Sequence, residues 1–290
     1  MRFTKMHGLG NDYVYVNCFE ERIDEPARLA QIVSNRHMGI GSDGLILICP
    51  SQKADVRMRI FNADGSEAEM CGNGIRCVAK YTYERKLARS GGTFSVPGQQ
   101  SFGASLRIET GNGILIVGLD IDEYDKVRSV CVNMGRPILT PQNIPVNLDT
   151  DKAIEQPIEV SGEELLMTCV SMGNPHAVFF CDNVSSIDLG KLGPEIENHD
   201  LFPNRTNVHF VEINNPSEFT MRTWERGSGI TMACGTGACA CCVAAALTGR
   251  QERLCTGHLP GGNLGLNWCQ EDDCVYMTGP AVEVFEGVWS

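Results

Sequence analysis

Nowhere in the 290 residues does an apolar run approach the length of about 18 that a membrane-spanning helix needs. Blocks of like charge and low-complexity tracts are missing too, so nothing in the chain reads as a disordered tail. Positive charge is in deficit: 24 Lys and Arg face 36 Asp and Glu, a net charge of −12. That balance argues against nucleic acid or an anionic membrane as a partner. The opening MRFTKMHGLGNDYV lacks the apolar centre of a secretory signal, and the sequence therefore predicts a cytoplasmic protein.

Cysteine, by contrast, is plentiful. There are 14, four of them within residues 234–242. In a reducing compartment disulfide staples are not expected, and most free cysteines serve as small buried hydrophobes. With 42% hydrophobic residues the chain can build one large domain or two of ordinary size.

Three segments recur at one separation. LGNDYVYV around Asn11 matches MGNPHAVFF around Asn174, SDGLILI around Gly44 lies over RTNVHFV around Asn207, and FNADGSEAEMCGNGIRC lies over WERGSGITMACGTGAC, aligning Cys71 with Cys234. Each pair is 163 positions apart, too long a period for a solenoid, so the chain is expected to carry two copies of one domain. Strand-like runs include YVYVN, LILIC, VRMRIFN, ILIVGLDI, HAVFF, VHFVEI and FTMRTWE. Helices are expected over 26–37, 185–200 and after each of Cys71 and Cys234, the last closed by Gly249, with a loop over 137–157. The reading is an α+β fold of mostly antiparallel strands around one main helix per copy. The first domain is expected to span 1–132, completed by a returning tail at 280–290, and the second 133–279. Stretches 93–105 and 120–130 match no motif.

In both copies a cysteine precedes Gly-x-Gly and then a helix. The positive end of a helix favours thiolate over thiol, and the glycines and exposed N–H groups form a nest for a carboxylate. A duplicated turn of this kind supplies two thiols, one to take a proton from a carbon and one to return a proton to its other face. Each turn alone also reads as a tight loop around a buried cysteine. Likewise His176 reads as a turn histidine, Glu225 and Arg226 as a solvated pair, and Asn11 and Asn174 as left-handed turn residues.

The motifs KMHGLGNDY, FNADGSEAEMCGNGIRC, SMGNPH, ERGSGITMACGTGAC, LPGGNL and YMTGPAVEVFEG resemble those of the diaminopimelate epimerases, in order, from residue 1 to about 287. The resemblance implies two pseudo-symmetric domains, each a curled sheet around a central helix. It implies an isomerase that interconverts LL- and meso-diaminopimelate for lysine and peptidoglycan synthesis, with no PLP, other cofactor or metal. By the same resemblance Cys71 and Cys234 are the proton donor and acceptor, and His176 and Glu225 adjust the two thiols. Substrate contacts are implied for Asn11, Asn62, Asn174, Asn207, Glu225 and Arg226. Backbone N–H groups of Gly72, Asn73, Gly235 and Thr236 are implied to hold the reacting carboxylate. Arg226 offers the planar fork suited to a distal carboxylate.

Two positions depart from the family pattern. Gly44 stands where some members carry a glutamine that contacts substrate. Phe285 stands where some carry a tyrosine linked to dimerisation, which weakens the homodimer that the resemblance implies. Alternatives are a proline or hydroxyproline epimerase-like enzyme, a Zn or Fe–S module built on Cys239, Cys242, Cys269 and Cys274, and a non-catalytic anion-binding protein. Cys239, Cys241 and Cys242 also read as close packing in an all-apolar helix.

Overall fold

The computed structural model describes residues 1–99 and 101–290, so of the unassigned stretch 93–105 residue 100 lies outside the described residues. The chain divides into two compact units: Met1–Asn133 with Thr278–Ser290, and Met134–Met277. Unit 1 begins with β1 (Arg2–Gly8), β2 (Asn11–Asn17), α1 (Pro26–Ser34), β3 (Gly44–Cys49), β4 (Val56–Asn62) and β5 (Glu67–Ala68). It continues through α2 (Gly72–Glu84), β6 (Ala104–Thr110), β7 (Gly113–Ile121) and β8 (Val127–Asn133). Unit 2 holds β9 (Gln156–Val160), β10 (Glu163–Ser171), β11 (Pro175–Phe180), α3 (Leu189–Glu197), β12 (Asn207–Asn215) and β13 (Glu218–Glu225). After these come β14 (Gly229–Thr231), α4 (Gly235–Leu247), β15 (Leu254–Leu259), β16 (Gly262–Trp268) and β17 (Val275–Gly279), within which the boundary falls. The last strand, β18 (Val282–Val288), belongs to unit 1.

The fold is the duplicated α+β architecture. In unit 1, β2 pairs with β3 and β4 with β6 in parallel, while β1–β2, β3–β4, β4–β5, β6–β7 and β7–β8 are antiparallel. Unit 2 repeats the pattern with β11–β12 and β13–β15 parallel and β10–β11, β12–β13, β13–β14 and β15–β16 antiparallel. The first strand of each copy has an antiparallel outer neighbour. For β10 it is β9, immediately before it, and for β1 it is the distant β18.

Strand alternation sends successive side chains to opposite faces, and each unit uses both. On β2 and β3, Val14, Val16, Leu45 and Leu47 join Ala30 and Val33 of α1 in one buried cluster. Tyr13, Tyr15, Ile46 and Ile48 alternate with them, so they lie on the opposite face, where α2 packs against β1, β2, β4, β6, β7 and β8. Unit 2 does the same. Ala177, Phe179, Val208 and Phe210 pack with Leu189 and Ile196 of α3, while the alternating His176 and His209 lie on the α4 face. One helix touching this many strands requires a sheet curled around it.

Helix α4 is buried on all sides, with Cys239, Cys241 and Cys242 at 0% exposure, so these three thiols are packing atoms. Gly249 (φ 68°) closes it, its N–H donating to Ala246 O (3.2 Å). Two helices are shorter than expected. Rather than reaching 37, α1 stops at Ser34, because the Asn35 side chain takes the N–H groups of His37 and Met38 (2.9 Å each) and offers the backbone a turn instead. The segment 185–200 is a 3-10 turn, Val184–Ser186, followed by α3, which starts anew where Asp188 Oδ1 caps Lys191 N–H (3.2 Å). The loop over 137–157 contains a 3-10 turn, Pro141–Asn143, and gives way to β9 at Gln156.

Candidate active site

In unit 1, Asn11 and Asn73 converge with one thiol, while Asn62 is bonded elsewhere. Cys71 is the N-cap of α2, and its Sγ accepts from Gly74 N–H (3.3 Å) while the helical ladder opens with Ile75 N–H to Cys71 O (2.9 Å). The thiol donates to Asn11 Oδ1 (3.4 Å), which also accepts from Asn73 Nδ2 (3.4 Å). Asn11 Nδ2 in turn donates to Asp43 Oδ2 (2.8 Å). The buried Tyr13 hydroxyl meets the same group: its hydrogen-bond partners include Asn11 and Cys71, and burial, followed by the charges of Cys71 and Asp43, pushes it well above the usual phenol range.

At Gly74 the helix comes close to the strand side chains. A Cβ on it would stand 2.7 Å from Ile46 Cδ1 on β3. The equivalent Gly237 of α4 lies against His209 of β12, the residue at the Ile46 position of the second copy. Gly44 is explained as well. Any Cβ there would strike the Phe61 carbonyl and stand 2.8 Å from Tyr13 Cε1, so the Tyr13 ring occupies the space beside it. Asn62 pairs with Gly44 across β3 and β4, and its Nδ2 donates to Ser66 Oγ (3.0 Å).

In unit 2, Cys234 is the N-cap of α4, with Gly235 and Thr236 opening the helix and Ala238 N–H donating to Cys234 O (2.9 Å). Its Sγ is 3.7 Å from Thr236 Oγ1 and contacts the Glu225 carboxylate at the end of β13. Here the expectation of a helix-favoured thiolate needs correction. Burial, then the Glu225 charge, drives this thiol well above its usual range, outweighing the opposing pull of the Thr236 hydroxyl and Gly237 N–H. The dipole argument is local, whereas Cys234 is only 4% exposed, and desolvating a thiolate costs more than one helix end returns.

His176 sits in a chain of four side chains joined by three hydrogen bonds. Its Nε2 meets Asn174 Oδ1 (2.9 Å), its Nδ1 meets His209 Nε2 (2.8 Å), and His209 Nδ1 meets Thr223 Oγ1 (2.9 Å). A carbonyl oxygen only accepts, so His176 carries its proton on Nε2, His209 donates through Nε2, and Thr223 donates to His209 Nδ1. Both rings are neutral. Burial holds His176 well below the usual range, helped by the charges of His209 and Arg226, and burial brings His209 down to about 3. Asn207 spans two strands, donating to Pro175 O (2.8 Å) and accepting from Arg226 N–H (3.0 Å), while Arg226 Nη1 donates to Asn204 O (2.9 Å).

Each unit thus gathers its own members: Asn11, Asn73 and Cys71 in one, Asn174, His176, Asn207, Glu225, Arg226, Thr236 and Cys234 in the other. Three contributors were not foreseen: Tyr13, Asp43 and His209. One signal was available for Tyr13, since the 163-residue offset places it over His176. Among the described residues no three His, Cys, Asp or Glu side chains gather in a metal-holding group. Nor is any helix among them long and apolar enough to cross a membrane.

Comparison with known proteins bears on what this geometry serves. The family model for diaminopimelate epimerase matches residues 3–140 and 168–284. The diaminopimelate epimerase of Acetivibrio thermocellus is 53% identical over 287 residues, covering 99% of this chain and 98% of its own. That of Methanococcus maripaludis is 49% identical over 287 residues, covering 99% of each chain. Among solved structures, a PhzF-family phenazine biosynthesis protein of Bacillus anthracis aligns with a TM-score of 0.68 at 17% identity, over 99% of this chain and 98% of that one. A probable proline racemase from Agrobacterium radiobacter aligns with a TM-score of 0.65 at 13% identity, over 100% and 92%. At such identities the likeness speaks for the fold alone.

Proposed function

The chain belongs to the diaminopimelate epimerase family, and on that footing we propose that it interconverts LL-2,6-diaminopimelate and meso-diaminopimelate by cofactor-independent proton transfer between two cysteines. The observation that carries the reading is the pair of equivalent helix-capping thiols, Cys71 and Cys234, each surrounded by the family's motif residues.

The chemistry follows from what each group can do. One sulfur takes the α-proton, the electron pair left on carbon spreads into the adjoining carboxylate, and the other thiol gives its proton to the opposite face. N–H groups of Gly72, Asn73, Gly235 and Thr236 stabilise the charge that moves onto the carboxylate oxygens. Cys71, whose thiol donates to Asn11 Oδ1, suits the role of acid. Cys234 suits that of base, with Glu225 in contact as the group that can receive its proton. His176 is neutral and fixed by two hydrogen bonds, which fits it to orient Asn174 towards substrate. Arg226, with Asn207 supporting its backbone, recognises the distal carboxylate, a feature that a proline epimerase would not need. The same reading carries a cytoplasmic location and a homodimer, with the exposed Val282, Val284, Phe285 and Val288 of β18 as the apolar face it would cover.

The test is incubation with LL-diaminopimelate in deuterium oxide followed by chiral analysis. Early product is expected to carry deuterium at the inverted carbon while recovered substrate carries little. Cys71→Ala and Cys234→Ala should each abolish epimerisation in folded protein; near-normal turnover by either would refute the two-thiol mechanism.

A further inference from the structure

Side-chain amides can be turned over at little cost, and a thiol senses which end it faces. An amide oxygen accepts the S–H proton and favours the thiol, whereas an amide N–H donates to sulfur and favours the thiolate. Beside Cys71 this choice is made twice over, by groups that cannot change role. Asp43 is a carboxylate and only accepts, so the end of Asn11 that reaches its Oδ2 at 2.8 Å is the N–H end. The carboxylate is itself immobilised, taking Asp12 N–H on Oδ2 (3.0 Å) and Arg36 Nη2 on Oδ1 (2.8 Å), while Arg36 Nη2 also holds Asp12 (2.7 Å).

From the other side, Arg76 is fully buried and only donates. Its Nη2 bonds Asn73 Oδ1 (3.0 Å), Nη1 bonds Gly72 O (3.0 Å) and Nε bonds Pro280 O (3.1 Å). Asn73 must therefore turn its N–H end to Asn11, and Asn11 must answer with oxygen (3.4 Å). The two constraints agree.

We propose that Asp43 and Arg76 are positioning residues that lock the Asn11 amide with its oxygen on the Cys71 thiol, so that Cys71 keeps its proton by hydrogen bonding. The assignment of an acid role rests on the epimerase reading; the lock itself does not. Around Cys234 the positions of Asp43, Asn73 and Arg76 are taken by Thr206, Thr236 and Cys239, and Asn174, in the place of Asn11, turns its amide oxygen to His176 Nε2 (2.9 Å). The duplicated turn thus carries the means for its two thiols to differ.

Titration of Cys71 in the ligand-free protein tests the lock without any turnover, so its failure and that of the epimerase reading are distinguishable. Other titratable groups around this thiol include Tyr13 and Tyr15 from β2 and Cys77 from α2. Burial pushes all three up, Cys77 to about 11, so they stay neutral through the assay range. Iodoacetamide alkylation against pH, read peptide by peptide with Cys234 as internal control, gives the apparent value for Cys71. Asp43→Ala frees the amide to turn when the thiol ionises, so the value should fall by about one unit, with alkylation at neutral pH about tenfold faster. Asp43→Asn removes the same charge but keeps an acceptor for Asn11, so its value should fall by less than that of Asp43→Ala. Should Asp43→Ala not fold, Asn73→Thr, the residue found in the second copy, releases the other end of the amide and must also lower the value. An unchanged Cys71 titration in the folded variants overturns the proposal. So does an equal fall in Asp43→Ala and Asp43→Asn, which would mean that charge acts through space and amide orientation does not matter.

Discussion

Substituting alanine for the second glycine of each cysteine turn should have opposite outcomes in the two copies, although the turns are equivalent in sequence. A Cβ at Gly237 would stand 2.8 Å from His209 Nε2 and 3.0 Å from Nδ1, and closer still to Cε1. The ring cannot yield, because both its nitrogens are bonded, to His176 (2.8 Å) and Thr223 (2.9 Å). Overpacking against a rigid group costs roughly 1–3 kcal/mol and straining a buried hydrogen bond about 1 more, against about 1 regained from helix propensity. Gly237→Ala should therefore destabilise unit 2 by about 2 kcal/mol. At Gly74 the obstacle is Ile46 Cδ1, at 2.7 Å, the free end of a flexible side chain that can rotate away. There the strain and the propensity gain nearly cancel, and Gly74→Ala should be close to neutral. Urea unfolding resolved by hydrogen exchange reads the two units separately. Activity adds a second readout, since shifting Cys234 by about 1 Å would cost on the order of 100-fold. Equal destabilisation by the two substitutions, or a milder effect at Gly237, would refute the argument that His209 is the rigid member.

Acid should weaken unit 2 before carboxylates begin to matter. His176 and His209 are held below their ordinary value of 6.5, so the unfolded chain binds protons there first and stability falls as pH drops below 6.5, continuing towards the folded value of about 3 for His209. Two such groups give a slope of up to roughly 2.7 kcal/mol per pH unit, measurable by urea titration from pH 7 to 5; a flat profile would contradict the buried neutral chain. Away from the active site, Cys18 and Cys49 are hydrogen-bonded to each other at the far ends of β2 and β3. The Cys18 thiol, helped by Arg59 and Arg57, brings Cys49 down to about 7. Iodoacetamide at pH 7 should thus label Cys49 ahead of the buried Cys77, Cys131 and Cys169; uniform labelling would count against the pair.

What could be read from the sequence was periodic or duplicated. Alternation on YVYVN and LILIC marks strands because the two faces of β2 and β3 meet different helices, and the 163-residue offset survives because α1, α2, α3 and α4 keep their places in each copy. The cysteine turns were visible since Gly74 and Gly237 mark where each helix comes closest to a strand side chain. Hidden features were those that depend on distant pairs. Asp43 and Asn11 are 32 positions apart, and nothing in SDGL announces that its carboxylate fixes an amide. The protonated Cys234 was missed because burial is a property of the assembled unit, while the helix end that argues for a thiolate is a property of five residues. Tyr13 was passed over as one more alternating aromatic, although its partner in the second copy, His176, was singled out.

The pairing of β1 with β18 has a consequence for how the molecule comes into being on the ribosome. Residues 2–8 are made well before residues 282–288, so one edge of β1 waits for its partner while the 273 residues between them are synthesised. At about 5–20 residues per second that interval is on the order of 14–55 s, longer than hairpins and helices need by many orders of magnitude. Unit 2 has no such debt: its outer strand β9 precedes β10 directly, and its copy of the sheet can close as it emerges. The later half of the nascent chain is thereby free to finish ahead of the earlier one. The open β1 edge is the place where a nascent chain would bind a chaperone, or pair wrongly with a neighbour.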